Sequence, residues 1–209
     1  METDPKRNEL AVARANAFDQ LAAKFTGLYD LGIALHPLWG PRLRKTLEHI
    51  LGPRVLEVSF GTGYLMSLYA GRFEVTGLDY NPRMISATQK RLDRRGLQAK
   101  LVRGDAHAMP FADGTFDTLI NTDAFTLYAD PEKAMGEFHR VLRPGGRLVL
   151  LEYGYPKNRN WLCMRLMAIP RMLMMPMRDF DALLRGAGFS YEDHPVGMAG
   201  VLHMYVATK

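Results

Sequence analysis

Apolar residues recur at helical spacing through LAVARANAFDQLAAKF, Leu10 to Phe25, and a second helix is predicted after Pro41, a favourable early-helix position, ending at Gly52. Beyond Gly52 the pattern changes to short β-type runs separated by helical segments. RVLEVS reads as a strand and YLMSLYAG as a helix; FEVTGLD is a strand, and Pro82 to Arg95 a helix closed by Gly96. QAKLVRG and FDTLINTD are strands, PEKAMGEFHRVL a helix and GRLVLLEY a strand. RDFDALLRGAG then predicts a helix, with FSYEDHP and GVLHMYVATK as two final strands that can pair antiparallel. Such alternation predicts a mostly parallel sheet with helices on both faces.

Composition narrows this picture. The 209 residues, 47% hydrophobic and 23% charged, suit one soluble domain with a sizeable core. A net charge of +5 would favour anionic partners, but the Lys and Arg residues are scattered, and the densest patch, RLDRR at Arg91 to Arg95, reads as a solvated helix face. No nucleic-acid partner is therefore expected. The single cysteine, Cys163, excludes an internal disulfide and offers no metal cluster. No apolar core follows the first basic residues, so no secretory signal is expected and a cytoplasmic location is the default. The segment WLCMRLMAIPRMLMMPM, Trp161 to Met177, carries two arginines and two prolines and falls short of a membrane span. Peripheral contact with a membrane through 161–177 remains compatible with it.

Candidate chemistry lies at the predicted strand ends. Gly61 and Gly63 follow the first strand, where a turn in an open α/β sheet lets a ligand approach the backbone. The dinucleotide fingerprint wants a third glycine three residues on, and that position is Met66. Asp79 ends the second strand and Asp105 the third. A helix N-cap is the rival role for each carboxylate. Glycine, Asp and Asp at three successive strand ends nevertheless point to an adenosine-sized site.

In order along the chain, EVSFGTG (Glu57 to Gly63), GLDYN (Gly77 to Asn81), GDA (Gly104 to Ala106), PFADGTFD (Pro110 to Asp117) and RVLRPGGRL (Arg140 to Leu148) resemble the class I S-adenosylmethionine-dependent methyltransferases. The closest flavour is the group of ubiquinone/menaquinone biosynthesis C-methyltransferases and related bacterial phospholipid N-methyltransferases. The resemblance runs from about Phe18 to Lys209. It implies a Rossmann-like α/β fold, a seven-stranded mostly parallel sheet with an antiparallel last strand. It implies one domain, 1–209: a helical cover over 1–51, a cofactor-binding core over 52–153, a Met-rich lid over 154–178 and a C-terminal helix and hairpin over 179–209. The implied cofactor is S-adenosylmethionine. Its methionine moiety would lie against Ser59, Gly61 and Gly63, with Glu57 orienting the turn; Asp79 would hold the ribose hydroxyls and Tyr80 lie against the adenine. Asp105 and the Ala106 amide would read the adenine edge, Asn121 and Thr122 line the pocket, and Tyr29 cover the cofactor. Ser59 departs from the glycine usual at its position.

A sulfonium methyl is already electrophilic, so transfer needs mainly alignment and exclusion of water, worth roughly 7–11 kcal/mol. Asp123, just past the fourth strand, is the candidate base, with a helix cap as its rival role. His36 reads as a turn residue, His107 as an exposed neighbour of the adenine side and His139 as remote. Met, Leu and Ile around Arg165 and Arg171 suggest an adaptable apolar wall. The expected acceptor is small or lipophilic, quinone-like or a lipid head group. Rival readings are a small polar amine, phenol or thiol acceptor, an NAD-dependent oxidoreductase, and a binding module without turnover.

Overall fold

The computed structural model describes residues 40–154, 178–197 and 200–209. Tyr29, His36, Cys163, Arg165, Arg171, the N-terminal cover before Gly40 and the Met-rich stretch 161–177 lie outside the described residues. Among the described residues, seven strands form one sheet: β1 (Arg54–Val58), β2 (Glu74–Asp79), β3 (Lys100–Arg103), β4 (Phe116–Thr122), β5 (Leu142–Tyr153), β6 (Ser190–Gly197) and β7 (Leu202–Thr208). Their spatial order is β3-β2-β1-β4-β5-β7-β6. The first five run parallel, and β7 lies antiparallel between β5 and β6, so the expected terminal pair forms. Five α-helices accompany them among the described residues: α1 (Gly40–Lys45), α2 (Met66–Tyr69), α3 (Pro82–Arg94), α4 (Pro131–Val141) and α5 (Phe180–Gly186). None of them is long and apolar enough to cross a membrane.

The interior strands are apolar along nearly their whole length because helices cover both faces. Phe125, Phe138, Phe180 and Leu184 pack on one face with Leu119 and Leu150, bringing in α4 and α5. Leu43, Met66, Tyr69 and Leu92 pack on the other with Val55 and Ile120, bringing in α1, α2 and α3. Helix starts follow side-chain capping: Asn81, Asp130 and Asp179 accept from the amides of Arg83, Lys133 and Ala182. Pro82 and Pro131 occupy first-turn positions of α3 and α4, where no amide is needed.

Two of the motif blocks prove to be one polar latch. Arg140, on α4, donates to Glu137, Asp113 and the carbonyls of Phe111 and Met109, while Glu137 accepts from the Met109 amide at 2.6 Å. Asp117 joins the start of β1 to the start of β5 by accepting from Arg54 and Arg143. Desolvation opposes its charge, but the hydrogen bonds from Arg54 and Arg143 outweigh it and hold the carboxyl at about 2. The PFADGTFD and RVLRPGGRL segments thus fix how α4 and β5 meet the sheet, and with it the positions of the strand tips.

Candidate active site

Because β1 to β5 are parallel, their carboxyl ends share one edge, and β7 begins there. At the tip of β1 the chain turns through Ser59, Gly61 and Gly63, all with positive φ (56°, 54° and 68°). Glycine reaches that region without strain, and a β-carbon at Gly63 would come within 2.5 Å of the Thr88 methyl. Among the described residues a β-carbon at Gly61 would meet nothing within 4 Å, so they leave open space at that residue. Met66 is fully buried with its methyl against Gly77, where a β-carbon would lie 2.7 Å away. The third glycine of a dinucleotide turn is thus replaced by a core side chain.

Asp79 is not a helix cap; Asn81 has that role. One Asp79 oxygen accepts from the Gly61 amide at 3.2 Å and the other from the Asn81 amide at 2.9 Å, which ties the glycine turn to the tip of β2. Tyr80 beside it is 67% exposed, the large hydrophobic side chain left open among the described residues, with the Arg103 guanidinium 5.8 Å from its ring centre. Glu57 is buried behind the turn and accepts from Tyr69 Oη at 2.7 Å. Burial pushes its carboxyl up to about 8.

Asp105 accepts from the His107 amide at 2.9 Å and lies 2.6 Å from His107 Nδ1. His107 Nε2 accepts from the Asp130 amide, which places the ring proton on Nδ1, facing Asp105. His107 is thus a strut between β3 and α4 rather than a loose surface residue. Desolvation works against the Asp105 charge, yet the hydrogen bonds from His107 hold its carboxyl below the usual range. Ala106 beside it is buried. His139, as expected, sits away from this edge, its ring against Phe189.

Ser59 shows how a side chain is accommodated in a glycine conformation. Its Oγ lies 2.7 Å from Tyr128 Oη, which accepts from Asn121 Nδ2 at 3.0 Å. The same Asn121 nitrogen donates to the Val58 carbonyl at 2.9 Å, which settles the amide orientation and leaves Oδ1 buried without a partner among the described residues. An orphaned acceptor of this kind costs about 1–3 kcal/mol unless a donor reaches it. With the open turn at Gly61, it fits a cofactor bearing an ammonium group and a ribose. Thr122 is half-buried at the end of β4.

Asp123 follows with φ 54°, and its side chain makes no cap bond; the short 3₁₀ turn over Phe125–Leu127 starts without one. The loop is held instead by Glu152 of β5, 0% exposed, which accepts from the Ala124 and Phe125 amides at 2.7 and 2.5 Å. Asp123 meets solvent, yet desolvation by surrounding protein pushes its carboxyl up, a combination that describes a side chain in a depression. Burial, and then the charge of Asp123, pushes Glu152 up as well. Tyr128 and Glu152 carry no motif; only an acid inside the apolar run LVLLEY hints at Glu152.

The family described as "Methyltransferase domain" matches residues 56–150. A ubiquinone/menaquinone biosynthesis C-methyltransferase of Ruegeria is 31% identical over 87% of this chain and 76% of its own length. A demethylmenaquinone methyltransferase of Thermus thermophilus is 42% identical over 49% of this chain, which spans about half (48%) of that relative. A phosphatidylethanolamine N-methyltransferase of Cereibacter sphaeroides is 35% identical over 53% of this chain and 56% of its own length. A solved S-adenosylmethionine-dependent methyltransferase of Thermotoga maritima has the same fold, with a TM-score of 0.70 at 19% identity over 91% of this chain and 98% of that one.

Proposed function

Because the chain belongs to the class I S-adenosylmethionine-dependent methyltransferases, we propose that it methylates a small or lipophilic acceptor, a quinone-like ring or a lipid head group. The cofactor is S-adenosylmethionine, which supplies an electrophilic sulfonium methyl. Ser59, Gly61 and Gly63 receive its methionine moiety, and Asn121 Oδ1 accepts from the ammonium. Glu57, mostly protonated at neutral pH, steadies the turn from behind through Tyr69. Asp79 accepts from the ribose hydroxyls, Tyr80 stacks on the adenine, and Asp105 with the Ala106 amide meets the adenine edge. Thr122 closes the pocket beside Asn121, and Tyr29 covers it. Asp123, the candidate catalytic side chain, touches the acceptor at the mouth of the pocket, its carboxyl pushed up by desolvation.

The observation that carries this reading is the row of strand tips. A glycine turn pinned by Asp79, an exposed Tyr80 and an orphaned Asn121 Oδ1 stand together, and Asp123 follows directly after β4. The lipophilic acceptor is supported by relatives named for quinone and phospholipid methylation. A screen with methyl-labelled cofactor against quinol, phosphatidylethanolamine, small amine, phenol and thiol acceptors tests it, alongside flotation with liposomes. Transfer to the quinol or lipid is expected. Transfer confined to small polar acceptors, without liposome association, would sink the lipophilic reading, and calorimetric affinity for NAD over S-adenosylmethionine would sink the cofactor assignment.

A further inference from the structure

Beyond the tip of β4, the same edge holds a polar pair that no motif announces. His203 on β7 places Nδ1 2.8 and 3.0 Å from the two carboxylate oxygens of Asp193 on β6. Both side chains are almost wholly buried, at 1% and 3% exposure, and the imidazole stacks on Tyr205 with ring centres 5.6 Å apart and planes 11° apart. An ionised carboxylate only accepts, so Nδ1 carries the proton and Nε2 carries a lone pair. Nε2 is buried and, among the described residues, has no hydrogen-bond partner. A purely structural histidine would satisfy both nitrogens; this one has a carboxylate fixing its tautomer and its basic nitrogen left over.

The place is suited to a reacting group. His203 lies directly opposite Glu152 in the β5–β7 register, so the two side chains share a sheet face. Glu152 holds the loop that carries Asp123. The chain leaves β5 at Gly154, and a β-carbon there would lie 3.0 Å from His203 Cδ2, 3.4 Å from Nε2 and 3.1 Å from Tyr205 Oη. Glycine at 154 lets the backbone pass close to this edge of the ring, where a β-carbon would crowd it.

We propose that His203, oriented by Asp193, is the group that takes the proton lost by the acceptor during methyl transfer, an inference that rests on the methyl-transfer reading above. As the acceptor atom forms its bond to the methyl carbon, the carbon–sulfur bond breaks and its electron pair stays on sulfur as a neutral thioether. The acceptor's proton passes to Nε2, and the resulting imidazolium is balanced by Asp193. The groups facing this ring favour that outcome. Glu152 comes from β5, Asp193 from β6 and Tyr205 from β7, with Tyr191 of β6 against Tyr205; Asp123 stands just past the β4 tip, and Asp179, capping α5, and Asp181 on it act on Tyr205. Arg185 over Tyr191 and Arg178 against the Tyr128 carbonyl are cations at the border of this set.

Turnover as a function of pH, measured on the full chain with the acceptor found in the screen, tests the assignment. His203→Gln keeps a polar side chain but loses the basic nitrogen. It is expected to lower kcat by about 100-fold or more, with calorimetric affinity for S-adenosylmethionine and acceptor KM changed by less than about threefold. The fall in turnover on acidification should disappear in that variant. Asp193→Asn should lower kcat by about tenfold, because the amide no longer favours the productive tautomer or balances the imidazolium. A His203→Gln enzyme with native kcat, or one that has lost cofactor binding along with its thermal transition, overturns the proposal, as does an Asp193→Asn enzyme with the native pH profile. A native chain that transfers methyl to no acceptor in the panel removes the acceptor reading itself; native turnover with an unaffected His203→Gln enzyme removes this inference alone.

Discussion

The tips of β1, β2 and β3 and the tips of β4, β5 and β7 form one edge but hold their polar groups differently. On the first half, side chains serve the backbone: Asp79 pins the amides of Gly61 and Asn81, Asp105 pins that of His107, and Thr88 donates to the Gly61 carbonyl at 3.0 Å. On the second half, ionisable groups are sunk beside one another. Glu152 and His203 face each other across paired strands, Asp193 is buried against His203, and Asp123 rides above. The first arrangement suits the proposed role of holding a ligand whose shape is constant. In the second, desolvation pushes the carboxyls of Glu152 and Asp123 up, which suits the proposed chemistry on a proton-bearing acceptor.

The comparison breaks most easily at Glu152. Removing its side chain strands two amides and the Thr126 hydroxyl in a buried site. Glu152→Ala is therefore expected to cost about 3 kcal/mol of stability in urea unfolding. Glu152→Gln, which keeps an accepting oxygen, should cost less than half as much. Equal losses would mean that the loop does not depend on the accepted hydrogen bonds.

At the opposite end, Asp79→Ala removes the clasp on the glycine turn and the proposed ribose acceptor together. Hydrogen bonds to a charged group are each worth about 1.5–3 kcal/mol, so cofactor affinity should fall by about 100-fold, with a smaller change in stability. Unchanged calorimetric affinity would remove Asp79 from the site.

The buried carboxyls also predict a pH dependence. Glu57 has its folded value raised from 4.5 to about 8, so the folded state holds a proton that the unfolded chain releases. Its contribution is fully present below pH 4.5 and is lost as pH rises through about 8, at up to about 1.4 kcal/mol per pH unit. Denaturant midpoints between pH 5 and 8 should fall with pH in the native chain and fall less steeply in Glu57→Gln. Parallel slopes would mean that Glu57 is ionised in the folded protein.

What was legible in the sequence divides along the same line. The strand order of apolar runs, the glycine turn, Asp79 and Asp105 are local patterns, each contained in a few consecutive residues, and the parallel sheet follows from their alternation with helices. β5 begins at Leu142 rather than at the predicted Gly146, because Leu142 pairs with Phe116 ahead of a bulge. The helix expected over YLMSLYAG shrinks to Met66–Tyr69, since the chain leaves the glycine turn through further turns. Asp123 and Asp79 had capping as a rival role from sequence alone; the structure gives the α3 cap to Asn81 and leaves Asp123 uncapping. Tyr128 and the His203–Asp193 pair were illegible, and Glu152 showed only as an acid in an apolar run, because each acts through the folded sheet and not within a local motif.

Ser59 gives the smallest expected effect and the sharpest test of how the two halves meet, because its hydroxyl reaches Tyr128 and, through it, Asn121 of β4. A non-glycine residue at φ 56° carries strain of about 1–2 kcal/mol, and the hydrogen bond to Tyr128 offsets about 1 kcal/mol of it. Ser59→Gly removes both at once, so stability should move by less than about 1 kcal/mol. Ser59→Ala keeps the strain and loses the bond, and should be the less stable of the two by about 1 kcal/mol. If Tyr128→Phe then adds little to Ser59→Ala, the pair is coupled and the serine works through the tyrosine. Fully additive losses would mean that Ser59 tolerates its conformation without help from β4, and the two halves of the edge would be joined only through the sheet.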